Sequence, residues 1–169
     1  VNTIKTKDAK VITNKVIYTL VEDLEKWQEQ EKENMKSKAL ENLPKPCKIK
    51  ILQGYIFRQS NPVVCGIEVL SGKLTSGVSL MKDSNAITEV KEMQHEGKKL
   101  TEAKKGEQIA LSMSNVTIGK QIKENDVLYS NLTEEQFRIY KKIKENLTEE
   151  EKQILKEIVE IKRKNNPGW

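Results

Sequence analysis

The 169-residue chain holds few side chains with reactive chemistry: two cysteines, Cys47 and Cys65, and one histidine, His95. Two separated thiols make neither a disulfide framework nor a zinc site. Cys65 lies within the apolar run VVCGIEVL, where a free thiol packs as a small hydrophobe. His95 stands beside Glu96 with no nucleophile or second metal ligand near it in sequence, the pattern of a polar strand end. No GxxxxGK(S/T), GxSxG, HExxH or CxxC pattern occurs. Carboxylates are abundant, but they fall on helix faces and caps, where solvation accounts for them. The expectation is therefore a binding chain, with no catalytic residue and no metal. Arg58, Gln59 and Ser60 form a polar loop whose guanidinium suits a phosphate or the face of a base. Aromatic platforms for single-stranded nucleic acid would come from Tyr55, Phe57 and Tyr129, which core packing explains equally well.

Charge is distributed unevenly along the chain. The net formal charge is +5, made up of 0 over residues 1–43, +4 over 44–131 and +1 over 132–169. A basic surplus on the middle segment permits contact with a phosphate backbone. An ordinary lysine-rich surface gives the same count. No apolar run approaches the roughly 20 residues of a membrane helix, and the first residues lack a signal-peptide core. The expectation is a cytoplasmic monomer with no membrane contact.

Three textures position these residues. Residues 1–13 hold a single strand-like run, Ala9–Thr13, read as the remnant of a preceding domain. Residues 14–43 read as a long helix, capped by Thr13 or Asn14, with an apolar stripe of Val16, Ile17, Leu20, Val21, Leu24 and Trp27. The stripe fades into QEQEKENMKSK, as in a rod that crosses solvent. Pro44 and Pro46 end the helix. Residues 44–131 alternate short apolar runs with turns: 48–57, 63–70, 78–81, 87–93, 108–113 and 126–129, with turns at Ser71-Gly72, Ser76-Gly77 and Asp83-Ser84-Asn85. Six or so short strands without intervening helices predict a small antiparallel barrel. Residues 132–169 predict two helices, each opened by a capping box, at Thr133–Gln136 and Thr148–Glu151. The fold class is α+β: a long N-terminal helix, a small antiparallel β-barrel and two C-terminal helices packed on it. Asn131-Leu-Thr133 and Asn146-Leu-Thr148 match a glycosylation pattern, but their threonines are better explained as caps.

The stretch from Phe57 to Gly77, with Gly66 inside a β-branched strand and Gly72 and Gly77 at turns, resembles the second-domain barrel of translational GTPases such as elongation factor Tu. Ala103-Lys104-Lys105-Gly106-Glu107 before the 108–113 strand matches a second element of that barrel. With VITNKVIY, GYIFRQSNP and EIVEIKRKNNP at the flanks, nearly the whole chain is similar to the archaeal branch of translation initiation factor 5B, the relative of bacterial initiation factor 2. The resemblance covers the long connecting helix, the fourth domain and its appended helices. It implies GTP and Mg in the full-length protein but no cofactor in this stretch, whose sequence lacks the G domain. It further implies a module that holds the acceptor end of initiator Met-tRNA on the ribosome and docks the C-terminal tail of initiation factor 1A.

Carried residue by residue, the resemblance places the tRNA end on one barrel rim, at Lys82, Asp83, Gly106, Glu107 and Gln108, joined by Arg58, Gln59 and Ser60. Gln108 departs from the bacterial residue type and no aromatic accompanies Lys82, so a formyl-methionine pocket does not transfer. For the 1A tail, which needs apolar pockets and a basic rim, the expected site is a groove between residues 133–146, residues 148–165 and the barrel wall. Ile143, Leu147, Leu155 and Ile158 would form its apolar pockets, and Lys141, Lys144, Arg163 and Lys164 its basic rim. The alternative is a protein-interaction adaptor that makes no direct RNA contact.

Overall fold

The structure, a computed structural model, describes the backbone of residues 2–6, 9–13, 17–41 and 43–169, and the side chains of 21–34, 41 and 43–169. The chain divides into two units, Val1–Leu43 and Pro44–Trp169.

In the first unit, β1 (Asn2–Thr6) and β2 (Ala9–Thr13) pair antiparallel, from Asn2 opposite Thr13 to Thr6 opposite Ala9. The expectation of a lone strand over 9–13 is corrected: β1 is its partner. NTIKT has one apolar residue in five, so it leaves no periodic apolar signal. Helix α1 spans Ile17–Glu41. Val21 and Leu24 of the expected stripe are exposed, at 50% and 44%. The expected cap at Thr13 or Asn14, and the side chains of Val16, Ile17 and Leu20, lie outside the described residues.

The second unit is a closed antiparallel barrel carrying two helices. Its strands are β3 (Cys47–Arg58), β4 (Val63–Thr75), β5 (Ser79–Lys82), β6 (Asn85–His95), β7 (Lys98–Leu100), β8 (Glu102–Lys104), β9 (Gln108–Met113) and β10 (Val127–Ser130). The order β3-β10-β5-β6-β9-β4 closes through β3–β4 pairing, while β7 adds to β6 and β8 to β4. Alternation drives the closure. Ile49 and Ile51 of β3, Cys65, Ile67 and Val69 of β4, and Ile109, Leu111 and Met113 of β9 all point inward and are essentially buried. Strand β4 runs through Ser71-Gly72, where the sequence suggests a turn. Gly72 sits at φ +77° with the Pro46 carbonyl and Ile154 crowding the place of a Cβ, so glycine here permits close packing within a strand.

Register in β3 decides what the barrel shows to solvent. Ile51 pairs with Ile67, but the next β3 partner of β4 is Ile56, opposite Cys65. Residues 52–55 bulge out, with Gly54 at φ +78°. The bulge shifts the in–out parity. Ile49 and Ile51 face in; beyond the bulge Ile56 packs on the core, while Tyr55 and Phe57 face out at 57% and 66% exposure.

Helices α2 (Glu134–Lys142) and α3 (Glu149–Asn165) follow, with a 3₁₀ turn at Lys144–Asn146 between them. Both capping boxes form. The Gln136 and Glu151 amides donate to the Thr133 and Thr148 hydroxyls at 3.2 Å, and the Gln136 and Glu151 side chains accept from the cap amides at 2.9 Å. One face of α3 lies on the barrel. Ile154 and Ile158 are buried, and Glu157 Oε2 accepts from Lys48 Nζ at 2.8 Å and from the Tyr129 hydroxyl at 2.9 Å. Lys162 Nζ donates to Asn131 Oδ1 at 2.6 Å, and Asn165 donates to the Asp83 carbonyl at 3.2 Å. Helix α2 is held by Tyr140, whose hydroxyl donates to the Pro44 carbonyl at 3.1 Å.

Burial pushes the Glu157 carboxyl up, but the Lys48 and Tyr129 hydrogen bonds outweigh burial and hold it below its ordinary value of 4.5. A carboxyl whose folded value is depressed stabilises the fold above its unfolded value and loses that contribution as pH falls. Glu157→Gln is therefore expected to cost about 1 kcal/mol in urea unfolding at neutral pH. The gap to the wild type should close as pH falls below 4.5. Thr148→Ala, which removes one half of a capping box, should cost about 1 kcal/mol in the same measurement.

Candidate functional site

Burial closes off the chemistry of both thiols. Cys47 and Cys65 are both fully enclosed free thiols. Burial drives the Cys47 thiol up to about 12 despite its contacts with Ser130, and the Cys65 thiol up to about 11. Thiols so placed stay protonated and inert at neutral pH. Among the described residues, no group of three or more His, Cys, Asp and Glu is placed to hold a metal ion. No described helix is long and apolar enough to cross a membrane. Two recessed surfaces of the second unit hold residues of the implied sites.

The first is a trough of about 290 Å³ on the outer barrel wall. Its floor is Gly66 of β4 and Ala110 of β9, paired across the ladder. Only glycine fits at 66, because a Cβ there would stand 2.7 Å from the Cβ of Tyr55. Tyr55 and Phe57 line one side. Gln94 and the His95–Gly97 turn line the other, with Gln108 beside them. The His95 ring is fixed by Nδ1 donating to the Gln108 carbonyl at 3.0 Å. Two exposed rings over a floor of small residues form a stacking platform, and the neighbouring glutamine amides supply donors and acceptors.

The residues implied for the tRNA end do not gather in one place. Gln108 lines the trough. Gly106 and Glu107 shape the turn before it: the Gly106 amide donates to the Val69 carbonyl at 2.8 Å, and Glu107 Oε2 accepts from the Lys104 amide at 2.9 Å. Lys82 pairs with Asn85 at one end of β6, whereas Ala110 pairs with Gln94 near the other. That separation is roughly 30 Å of extended strand. The Lys82 ammonium is held by Asp126 at 2.6 Å, and the Asp83 carbonyl by Asn165. Arg58 ends β3, one residue past Phe57. Gln59 and Ser60 are tied to the 117–118 loop, through the Ile118 amide donating to the Gln59 carbonyl at 3.0 Å and a bridge from Ser60 to Thr117. Sequence reasoning placed neither Gln94 nor His95 in a site. The available signal was Gly54 inside a strand, which marks a bulge and hence a change of face.

The second surface is a groove of about 400 Å³ between α2 and α3. Lys141, Lys144, Leu147, Leu155 and Arg163 of the implied set line it, together with Phe137, Tyr140, Lys152, Lys156, Val159 and Glu160. Ile143 and Ile158 do not line it; they are buried at 7% and 0% exposure and hold the helices in place. Lys164 is exposed and also outside the lining. Helical spacing explains the division: Ile154, Glu157, Ile158 and Lys162 form the barrel face of α3, while Lys152, Leu155, Lys156, Val159 and Arg163 form the adjacent stripe. Five cations and one carboxylate, Glu160, line the groove, so its field favours an anionic ligand. Its apolar floor favours one that also carries aliphatic side chains.

Residues 45–129 match the family model described as Elongation factor Tu domain 4. The chain is 43% identical over 162 residues to the probable translation initiation factor IF-2 of Hyperthermus butylicus, covering 94% of this chain and 26% of that one. It is 38% identical to the protein of the same description from Methanosarcina mazei, over 95% of this chain and 27% of that one. Among solved structures, GDP-bound aIF5B from Aeropyrum pernix superposes with a TM-score of 0.73 at 34% identity, over 92% of this chain and 26% of that one. The chain thus spans about a quarter of the length of these relatives.

The buried thiols give a direct check on the barrel interior. Neither should react with a disulfide reagent at pH 8 while the chain is folded, and both should be modified rapidly in guanidinium. Fast modification of either in the native state would contradict the placement of β3 and β4.

Proposed function

This chain belongs to the Elongation factor Tu domain 4 family, and on that premise we propose that it serves translation initiation as a binding module with two separate surfaces. The barrel trough receives the aminoacylated acceptor end of initiator Met-tRNA, and the groove between α2 and α3 receives the C-terminal tail of initiation factor 1A. The observation that carries the reading is the groove. An apolar floor rimmed by Lys141, Lys144, Lys152, Lys156 and Arg163 is complementary to a short acidic-hydrophobic peptide. For the barrel, support comes from the outward rings of Tyr55 and Phe57 beside Gln108. They give unpaired bases a surface to stack on.

The module works by holding its ligands without covalent chemistry. An acidic tail laid in the groove pairs its carboxylates with the lysine rim, and the rate of encounter rises with that field. The acceptor end contributes stacking, and nearby cations such as Arg58 meet its phosphates. GTP, its Mg and the subunit-joining activity on the ribosome are assigned to the longer protein. The sequence here carries no GxxxxGK(S/T) loop.

The test is an NMR titration of the chain with the 1A tail and, separately, with an aminoacylated acceptor-end minihelix. Shifts confined to residues 137–163 for the tail, and to 55–58, 66, 94–97 and 108–110 for the minihelix, are expected. Lys144→Glu with Lys156→Glu should weaken the tail at least about tenfold, since both charges face it. Leu155 is too buried to serve as the probe, because a charge there would disturb the helix pair. Phe57→Ala should cost the minihelix about 1–3 kcal/mol. Tail binding with no minihelix binding at any salt concentration would leave the adaptor reading in its place.

A further inference from the structure

Beyond α3 the backbone leaves the helix at Asn166 and turns back on itself. The Trp169 amide donates to the Asn166 carbonyl at 3.0 Å, and the Gly168 amide to Asn166 Oδ1 at 3.3 Å. The turn sets the Trp169 indole against Phe137 of α2, with ring centroids 5.2 Å apart and planes inclined by 39°. Lys162 Nζ lies 5.8 Å from the indole centroid. The Trp169 carbonyl accepts from Arg163 Nε at 2.7 Å. Phe137 and Arg163 both line the groove, and Trp169 does not. On its own helix, each of the two is the lining residue farthest from the Leu147 corner.

We infer that residues 166–169 form a strap that engages Phe137 and Arg163 at one end of the groove and is displaced from them by the incoming ligand. The inference rests on the reading of the groove as the site for an acidic-hydrophobic peptide. The strap offers Phe137 an apolar ring and Arg163 an oxygen acceptor. Those are the two groups that such a peptide brings. A peptide brings several carboxylates that also reach Lys141, Lys144 and Lys156, whereas of the rim cations the strap meets Arg163 alone, so the peptide gains more of the groove's field. The strap itself is held by two hydrogen bonds within its own turn, one to Arg163, one tilted ring pair and the Lys162 ammonium 5.8 Å from the indole centroid, all at the surface. It is therefore a weak self-ligand at high effective concentration. A site that is competent only when the strap is open shows an affinity reduced by the open fraction. Closing the end also keeps the Phe137 ring from standing exposed when no peptide is bound.

The experiment uses the full chain and a fluorescein-labelled peptide of alternating Asp and Leu, with circular dichroism to verify folding. Trp169→Ala should bind the peptide about three- to tenfold more tightly than the wild type, and Trp169→Phe, which keeps a ring on Phe137, should stay near the wild type. In a Trp27→Phe background, where Trp169 is the only tryptophan, peptide addition should shift indole emission to the red and raise its quenching by acrylamide. Trp169→Ala affinity equal to or below the wild type, or unchanged indole emission at saturation, overturns the strap. If Lys144→Glu still abolishes binding in that case, the groove reading survives. Absence of peptide binding in the wild type and in Trp169→Ala overturns both.

Discussion

The Glu157 carboxylate, set between the Lys48 ammonium and the Tyr129 hydroxyl, fixes the rotation of α3 on the barrel. A helix has only one apolar stripe to bury, and which stripe it buries decides what its remaining faces offer. Here Ile154 and Ile158 go down onto β3 and β4, with Gly72 admitting Ile154 at close range. Leu155 and Val159 then turn toward α2, flanked by lysines. Rotated by one residue, about 100°, α3 would bury its cations and lose the groove. The same helix ends at Asn165, whose amide meets the β5–β6 turn at Asp83. One polar contact near its middle and one at its end therefore hold both the helix and the surface it shares with α2.

The barrel wall follows from a different local event. Residues 52–55 leave the β3–β4 ladder, and the strand returns with its faces exchanged. Without that shift Tyr55 and Phe57 would compete with Ile49 and Ile51 for the interior. With it they stand over Gly66 and Ala110, the smallest floor the ladder provides. Gly66 is a consequence of the bulge, since the Tyr55 Cβ takes the space in which any larger residue would place its own.

How much of this is legible from sequence depends on where the signal is local. Thr133–Gln136 and Thr148–Glu151 announce their helices because a capping box is complete within four residues. The barrel is legible because Cys65, Ile67 and Val69, or Ile109, Leu111 and Met113, alternate in short runs between turns. The partner strand β1 was missed because NTIKT carries one apolar residue, and β7 and β8 because three-residue strands have no period to detect. The groove was half legible: Leu147, Leu155, Lys141, Lys144 and Arg163 line it, but Ile143 and Ile158 fall behind it, a difference of one helical stripe. The resemblance groups Lys82 and Asp83 with Gln108 on one rim, while pairing along β6 sets them near opposite ends. Strand register is a non-local property, and no residue type in either segment records it.

Two surfaces on one barrel unit, built from different elements, should be filled independently. The most direct measurement is calorimetric titration of the acceptor-end minihelix into the chain, alone and with the groove saturated by the 1A tail. The account predicts that both ligands bind together and that minihelix affinity changes by no more than about twofold. Minihelix affinity that falls in proportion to tail concentration, the signature of one shared site, would contradict it.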